Sequence, residues 1–331
     1  MESDFDEAIK LLKRLVEIHS PSGNENEIFD FLYDYIENLG FNVVKDDLNL
    51  IVNPAKFFVV THVDTVSVKR PFSFDGKFAY GTGVCDAKGS IASILLALEK
   101  IDELNFGVAL LSDEEEGGKG SKYFSTTYKP RMAVVMEPTS LTIAKRHYGS
   151  LEIEVVVKGK AAHASMPEYG INAIERFFEL FKKLKALKMV KQSILEINGG
   201  SDEYVIPEEC KAKIDFTFSP EINVVDLKNR ILTLLESCDV KIIEESNGFE
   251  SGNVVKKLEK AVEMSGLNVI YSEMPSWTDA INLKLKGCDA VVWGPGELQY
   301  CHTYEERIDP KEILKASDVL IKLNEVLADE R

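Results

Sequence analysis

The stretch FFVVTHVD, residues 57–64, is an apolar strand candidate that runs directly into His62 and Asp64. Three further apolar runs also end at side chains that can bind a metal: residues 108–111 before the acidic run 113–116, residues 132–136 before Glu137, and residues 290–293 before a loop that carries His302. In open α/β sheets, ligands bind beyond the carboxyl ends of the strands. Parallel packing of these four strands would therefore bring their polar side chains to one crevice.

Short apolar runs alternate with helical patterns along most of the chain, which predicts an α/β fold with a mostly parallel central sheet. The chain opens with apolar residues at helical spacing from Phe5 to Val16. It closes with helix-start signals at Asp309 and Pro310. A length of 331 residues predicts two domains.

Residues 149–250 follow a different pattern. They predict a strand over 150–157, a helix over 170–187, strands near 193–197 and 212–218, a helix over 225–235 and a strand over 240–243. The order βαββαβ is that of a ferredoxin-like domain. We therefore expect a discontinuous catalytic domain, residues 1–148 and 251–331, with a smaller domain inserted at residues 149–250.

The charge and composition exclude several classes of protein. A net charge of −16 argues against a nucleic-acid partner, because such binding requires Lys and Arg to neutralise phosphates. No apolar run reaches the ~18–20 residues that span a bilayer, and the acidic start does not predict a secretory signal. Five cysteines without close spacing fit a reducing compartment, so we expect a cytoplasmic protein.

The polar side chains at the strand ends suit a pair of metal ions. A further candidate, Asp86, lies in the loop GTGVCD, residues 81–86. Histidine and carboxylate ligands suit Zn²⁺ or a similar divalent ion. Two histidines and three carboxylates exceed what one catalytic zinc takes, and they match two metals that share a carboxylate. His62 and Asp64 share one face of an extended segment, so Asp64 could fix the histidine tautomer.

Each of these residues also has a purely structural interpretation. The run 113–116 could be a solvated charged turn, and Asp86 could be a turn residue or a helix cap. All four strand candidates lead to residues that can bind a metal, so a purely structural role for all of them is a weaker explanation than a metal site. Cys85 and Cys301 each precede a proposed ligand, but no C-x-x-C spacing supports a thiolate site, and we interpret both as buried neighbours.

Taken together, the motifs resemble the zinc amidohydrolase and peptidase family of acetylornithine deacetylase, succinyl-diaminopimelate desuccinylase, aminoacylase and carboxypeptidase G. Among these, the sequence looks most like acetylornithine deacetylase and the lysine and ornithine hydrolases that act on an amino-group carrier protein. The resemblance covers essentially the whole chain. It is carried by HVDTV at 62–66, YGTGVCDAKG at 80–89, DEEEG at 113–117, EP at 137–138, GKAAHA at 159–164, GPG at 294–296 and HT at 302–303.

The resemblance implies two divalent metal ions per chain, zinc or alternatively cobalt. It implies that His62 and Glu137 hold one ion, that Glu115 and His302 hold the other, and that Asp86 bridges both. It implies that Glu114 is the general base and that Asp64 supports His62. The peptide bond between Asp86 and Ala87 is cis in the family, which we expect here as well.

The resemblance also implies roles for the inserted domain. His163 would stabilise the oxyanion in the active site of a partner subunit, so the protein would be a homodimer joined through this domain, which would also act as a lid.

The match weakens at the substrate contacts. Tyr204 and Thr217 stand where the family resemblance predicts Asn and Arg, and Thr cannot replace an arginine fork. Lys213, on the same strand face as Thr217, could substitute as a point charge, as could Arg146 or His147. Thr278 and Asp279 match a family segment near the substrate and are further candidates.

The resemblance implies a metal-dependent deacylase that removes an N-acyl group from an amino acid such as acetylornithine or an acyl-lysine. Its partner would be this small molecule, or an amino-group carrier protein that bears it, although an acidic surface would not attract an acidic carrier. The alternatives are a dipeptidase, tripeptidase or carboxypeptidase of the same family, and a catalytically silent metal-binding homologue. An inactive homologue would be expected to lack Glu114 or a ligand, and all are present.

Overall fold

The computed structural model describes residues 2–329, with side chains from residue 4 onward. These residues form two compact units. The first contains the chain up to Lys145, Ser251–Met274 and the residues from Thr278 onward. The second contains Arg146–Glu250 and Pro275–Trp277.

Helices and strands alternate along most of the chain. The first part contains α1 (Glu2–Glu17), α2 (Asn26–Asn38), β1 (Val43–Lys45), β2 (Asn49–Val52), β3 (Phe57–His62), β4 (Ser73–Phe74), β5 (Ala79–Tyr80), α3 (Lys88–Leu98), β6 (Gly107–Leu111), α4 (Lys119–Thr127), β7 (Met132–Val135) and β8 (Ile143–His147). Next come β9 (Gly149–Lys158), α5 (Ala173–Lys185), β10 (Val190–Gly199), β11 (Glu209–Phe218), α6 (Val224–Leu234), β12 (Asp239–Ser246) and β13 (Phe249–Glu250). The last part contains α7 (Val254–Met264), β14 (Tyr271–Met274), α8 (Ala280–Leu285), β15 (Asp289–Val292), β16 (Arg307–Ile308) and α9 (Pro310–Ala328).

The first unit is built on a mixed sheet. Its strand order is β1-β2-β6-β3-β7-β15-β8, and β14 also pairs with β8. The four central strands β6, β3, β7 and β15 are parallel neighbours, whereas β1, β2 and β8 pair antiparallel at the flanks. These central strands are the four apolar runs of the sequence, and the predicted α/β fold with a largely parallel core is confirmed.

Burial explains why these strands are uniformly apolar. All six residues of β3 and all five of β6 are buried, as expected of strands covered on both faces. Helix α3 is buried along its whole length and packs against α1 and α9. A helix that is apolar on every side belongs in a core rather than at a surface. No helix among the described residues is long and apolar enough to cross a membrane.

The second unit contains a four-stranded antiparallel sheet in the order β10-β11-β9-β12, with α5 and α6 connecting its strands. This is the βαββαβ order that the sequence predicts, and the inserted antiparallel sheet is confirmed. Residues in β9 and β11 alternate between buried and less buried, because one face packs on the helices. β10 runs from Val190 to Gly199, longer than the predicted strand over 193–197, because its mostly exposed end lacks that alternation.

Candidate metal centre

Five side chains meet beyond the carboxyl ends of the central strands, each delivered by a different segment. His62 ends β3, Glu115 lies in the turn after β6, and Glu137 follows β7. Asp86 lies in the loop between β5 and α3, and His302 lies in the loop between β15 and β16. Three of the strands concerned are parallel neighbours, so their polar ends share one edge of the sheet.

The five side chains form two groups that share Asp86. The first consists of His62, Asp86 and Glu137, and the second of Asp86, Glu115 and His302. Within each group, one potential ligand atom from every residue lies within 4.8 Å of the others. The spacing suits a metal ion in each group.

The two oxygens of Asp86 face different histidines. Asp86 Oδ1 lies 3.0 Å from His62 Nε2, and Asp86 Oδ2 lies 3.4 Å from His302 Nε2. Glu137 Oε2 lies 3.8 Å from His62 Nε2, and Glu115 Oε2 lies 2.9 Å from His302 Nε2. A carboxylate that turns one oxygen to each group is placed to bridge two ions.

The donor set fits divalent cations better than it fits a closed network of hydrogen bonds. Glu137 Oε1 is buried and has no hydrogen-bond partner among the described residues. Buried polar atoms are normally paired, so an orphaned carboxylate oxygen in the group of His62 and Asp86 indicates a position for a cation. Imidazole and carboxylate ligands together suit Zn²⁺ and related ions.

Asp64 lies on the far side of the His62 ring. His62 Nδ1 lies 2.9 Å from the backbone oxygen of Asp64 and 3.5 Å from its Oδ1. The Asp64 carboxylate accepts the backbone N–H groups of Glu114 and Glu115, both at 3.1 Å, and the hydroxyl of Ser22 at 2.7 Å. Asp64 therefore fixes the acidic turn as well as the histidine, so its role is wider than the sequence suggested.

The electrostatic environment of the site shifts the pKa values of its acidic residues in different directions. Burial raises the pKa of Glu114 and of Glu137 well above the ordinary value, and neighbouring carboxylates add to this. Burial would also raise the pKa of Asp86, but hydrogen bonds with His302 and His62 hold it below its usual range. Hydrogen bonds with Asp86 and Glu115 raise the pKa of His302 to about 10. Such crowding of negative charge favours bound cations.

Unusual backbone supports the ligand loops. The peptide bond between Asp86 and Ala87 is cis, as expected. Asp113 and His302 adopt positive φ angles of 62° and 60°. Gly83 also has a positive φ, and a Cβ there would lie 2.6 Å from the methyl group of Thr65, so the Asp86 loop needs glycine at this position.

The other sequence-predicted candidates fall into two sets. Thr278 and Asp279 are buried in the first unit, and burial raises the pKa of Asp279 to about 7. His163 and Tyr204 are both exposed in the second unit, with ring centroids 5.5 Å apart in an edge-on contact. His163 Nδ1 lies 2.7 Å from the Ser165 hydroxyl.

The residues considered as replacements for the missing arginine have other contacts. Lys213 pairs with Glu152 at 2.8 Å, and Arg146 pairs with Glu221 and, at 3.9 Å, with Glu250. Thr217 donates a hydrogen bond to Asp215 at 3.0 Å. His147 is fully buried against Phe249.

Sequence reasoning missed two residues near the ligands. Ser22 supports Asp64, and the carboxylate of Glu306 accepts the backbone N–H groups of Cys85 and Asp86. Both are single polar residues in loops, with no spacing that marks them. Cys85 and Cys301 are buried neighbours, as expected, with sulfur atoms 3.3 Å apart.

Comparison with known families gives one extensive match. The sequence model described as "Peptidase family M20/M25/M40" matches residues 58–325, a span that includes every ligand candidate.

Relatives of similar length carry names of two kinds. A putative [LysW]-lysine/[LysW]-ornithine hydrolase of Pyrococcus furiosus is 29% identical over 325 residues, covering 95% of each chain. An acetylornithine deacetylase of Buchnera aphidicola is 26% identical, covering 95% of this chain and 96% of its own. Among solved structures, a tripeptidase from Staphylococcus aureus has a TM-score of 0.83 at 21% identity, covering 98% of this chain and 99% of its own. The structural likeness establishes the shared fold.

Proposed function

The chain belongs to the M20/M25/M40 peptidase family and is a metallohydrolase that acts on amide or peptide bonds, and within this class we propose that it is a deacylase. Its substrate is an N-acyl amino acid such as acetylornithine or an acyl-lysine, either free or attached to an amino-group carrier protein. The observation that carries this proposal is the near full-length match to proteins named as lysine, ornithine or acetylornithine hydrolases.

In this proposal, the two groups around Asp86 each hold one divalent ion, zinc or alternatively cobalt. His62 and Glu137 complete one group, and Glu115 and His302 complete the other. Members of the family bind dinuclear metal ions, and the shared carboxylate supports the same arrangement here. Such a pair of ions makes water nucleophilic at neutral pH and polarises the carbonyl group of the substrate.

Glu114 is the proposed general base. It is next to the ligand Glu115, and its own carboxylate has a strongly raised pKa because it is buried among other acids. A carboxyl group with a raised pKa can accept a proton from water and then deliver it to the leaving amine. Asp64 keeps the Glu114 backbone in place through its carboxylate.

For the inserted domain we propose the role of lid and dimerisation domain, with His163 as the oxyanion donor in a partner's active site. The exposure of His163 and its contact with Ser165 through Nδ1 support this role, because Nε2 then remains available to a ligand. The domain limits are proposed at residues 149–250, with residues 1–148 and 251–331 forming the catalytic domain.

The test combines metal content with a substrate panel. We expect two zinc-like ions per chain and hydrolysis of one of acetylornithine, acetyl-lysine or succinyl-diaminopimelate, while free dipeptides remain intact. Cleavage of dipeptides alone would make the protein a peptidase, the alternative within the family. Two bound metals without hydrolysis of any compound, free or carrier-linked, would indicate the catalytically silent homologue.

A further inference from the structure

An N-acyl amino acid carries a carboxylate, and the binding group for it is an open question in this chain. The family-type arginine is replaced by Thr217, and Lys213 and Arg146 are engaged in ion pairs within the second unit. A cation that is already neutralised by carboxylates is a poor receptor for another one, because it must first lose a partner. The receptor is better sought among cations without acidic partners.

Arg70 is such a cation. Its side chain forms no hydrogen bond or ion pair with the side chains of residues 4–329 or the backbone of residues 2–329, and its Nε atom is buried without a partner. Its guanidinium carbon lies 4.2 Å from the ring centroid of Tyr304. Buried nitrogen donors are normally satisfied, so a half-buried guanidinium without an acceptor indicates a place for an anionic ligand.

The anchors of Arg70 are on the two loops that carry the Asp86 and His302 ligands. Its backbone N–H donates to the Thr82 hydroxyl at 2.9 Å, and Thr82 lies in the loop that leads to Asp86. Tyr304, which stacks on the guanidinium, follows His302 by two positions. Arg70 is therefore in contact with both loops that supply ligands to the second group, through Thr82 and Tyr304.

Burial in the core does not explain the position of the Tyr304 side chain. Its side chain is 88% exposed, yet its ring is held against Arg70. By contrast, Arg307 lies over two rings, with its guanidinium carbon 4.1 Å from the Tyr300 centroid and 4.7 Å from that of Phe78. The Tyr304 ring contacts the guanidinium through its face, so this contact provides no acceptor oxygen for the N–H groups of Arg70.

A second positive charge is close by. Lys69 precedes Arg70 and is exposed. In a chain with a net charge of −16, two consecutive cations give this loop a local positive charge. A local field of this kind attracts an anion despite the overall charge.

We infer that Arg70, in contact with the Tyr304 ring, is the residue that binds a carboxylate group of the substrate. This inference rests on the proposed function, since it assigns a binding group for the same substrate. An arginine fork holds a carboxylate through two parallel hydrogen bonds, which a lysine cannot reproduce. The carboxylate can belong to the amino acid that is released or to the acyl group that is removed.

The test compares substrates that differ only in that carboxylate. Steady-state kinetics would be measured on the metal-loaded enzyme with the panel member that it cleaves, whether an N-acyl amino acid or a dipeptide. The second substrate is the same compound with its carboxylate converted to a carboxamide. For Arg70→Ala we expect KM for the acid to rise about 10- to 100-fold, with kcat changed less than about twofold and the carboxamide unaffected. Arg70→Lys should recover part of the loss.

The matched control is Arg14→Ala. Arg14 also stacks on a ring, 4.4 Å from the Phe31 centroid, but it lies on the exposed face of α1. The Arg14→Ala variant should have the same KM as the wild type for both the acid and the carboxamide. Tyr304→Ala should raise KM for the acid in the same direction as Arg70→Ala but by a smaller factor.

Further comparisons identify which carboxylate is bound. Acetyl and succinyl derivatives of one amino acid report a carboxylate on the acyl side, while the acid and carboxamide pair reports one on the amine side. An equal loss on both members of both pairs, or no loss on any of these substrates, would overturn the assignment. If only dipeptides are cleaved, the deacylase proposal fails, while Arg70 is still tested on the dipeptide and its amide.

Discussion

The carboxylate of Glu306 holds the backbone of Asp86. Glu306 Oε1 accepts the N–H of Asp86 at 3.4 Å and that of Cys85 at 3.2 Å, and its side chain is buried. Glu306 follows His302 in the same loop, so this contact joins the two loops that supply the shared carboxylate and the second histidine. The position of Asp86 relative to His302 therefore depends on a residue outside both ligand groups.

Replacing Glu306 by Ala should weaken metal binding, because the loop that carries Asp86 loses its acceptor. Groups that orient metal ligands typically contribute 10- to 100-fold in affinity, and we expect a loss of about that size. Glu306→Gln keeps an oxygen acceptor and should lose less. Competition with a chromogenic chelator measures this directly, and an Ala variant with the affinity of the wild type would refute the role.

Replacing Glu114 by Gln should separate metal binding from catalysis. The amide has nearly the same size but cannot take a proton from water, so we expect kcat to fall by roughly 10²- to 10⁴-fold. Metal content should stay at the wild-type value, since Glu114 is outside both ligand groups. Near-full activity in a metal-loaded Gln variant would contradict the assignment.

Metal affinity should increase with pH. Without metal, hydrogen bonds with Asp86 and Glu115 raise the pKa of His302 to about 10, and the surrounding carboxylates raise that of His62 well above its ordinary value. Both rings must lose a proton before they can bind a metal ion, so protons compete with the metal at pH values below the pKa values of these histidines. Titrations at pH 6, 7 and 8 should show progressively tighter binding, and affinity independent of pH would count against histidine ligation.

The same competition should be visible in stability. A ligand that binds only the folded state stabilises it according to its saturation. Adding a chelator at pH 8 should therefore lower Tm, and lowering the pH to 5 should remove most of the difference between chelated and metal-loaded protein. Equal Tm values with and without chelator at pH 8 would show that no ion binds.

The buried ring of His147 should make the second unit sensitive to acid independently of metal. Burial lowers the pKa of His147 to about 4 from the ordinary 6.5. The folded state keeps the ring neutral while the unfolded state takes up a proton, so stability falls as pH decreases from 6.5 towards 4. By pH 4.5 this titration lowers the free energy of unfolding by roughly 2–3 kcal/mol.

Chemical denaturation of chelated protein at pH 7 and pH 4.5 tests this. His147→Gln, whose amide can still donate to the Tyr148 carbonyl that Nδ1 contacts at 2.7 Å, should lose less stability between the two pH values than the wild type. The exposed His163 provides the control, since His163→Gln should behave as the wild type does. Identical pH dependence in the His147 variant and the wild type would be the contrary result.

Much of this fold can be predicted from the sequence because the physical signals are local. The buried parallel strands are uninterrupted apolar runs, and two of them lead almost directly to a candidate ligand, since His62 follows residues 57–61 and Glu137 follows residues 132–136. The inserted sheet is visible because residues alternate along β9. These patterns follow from burial on two faces and on one face, respectively.

The supporting contacts could not be predicted in this way. Ser22 reaches Asp64 over 42 positions, and Glu306 reaches Asp86 over 220. A single polar residue in a loop carries no periodicity that reveals such a partner. The same limit applies to Lys213 and Arg146, whose charge suggested a substrate contact but whose carboxylate neighbours become apparent only in the folded chain.

The order of the elements along the chain bears on how the protein matures as it is synthesised. Helix α9 packs against α1, α3 and α7, and His302 precedes it by only a few residues. The inserted sheet, in contrast, is contiguous in sequence and leaves the ribosome earlier. Since domains fold as units from the N-terminal side during translation, the inserted sheet can form while the catalytic core is still incomplete. The second group of candidate ligands must then be completed late, because Asp86 has its second histidine neighbour only once the His302 loop has emerged.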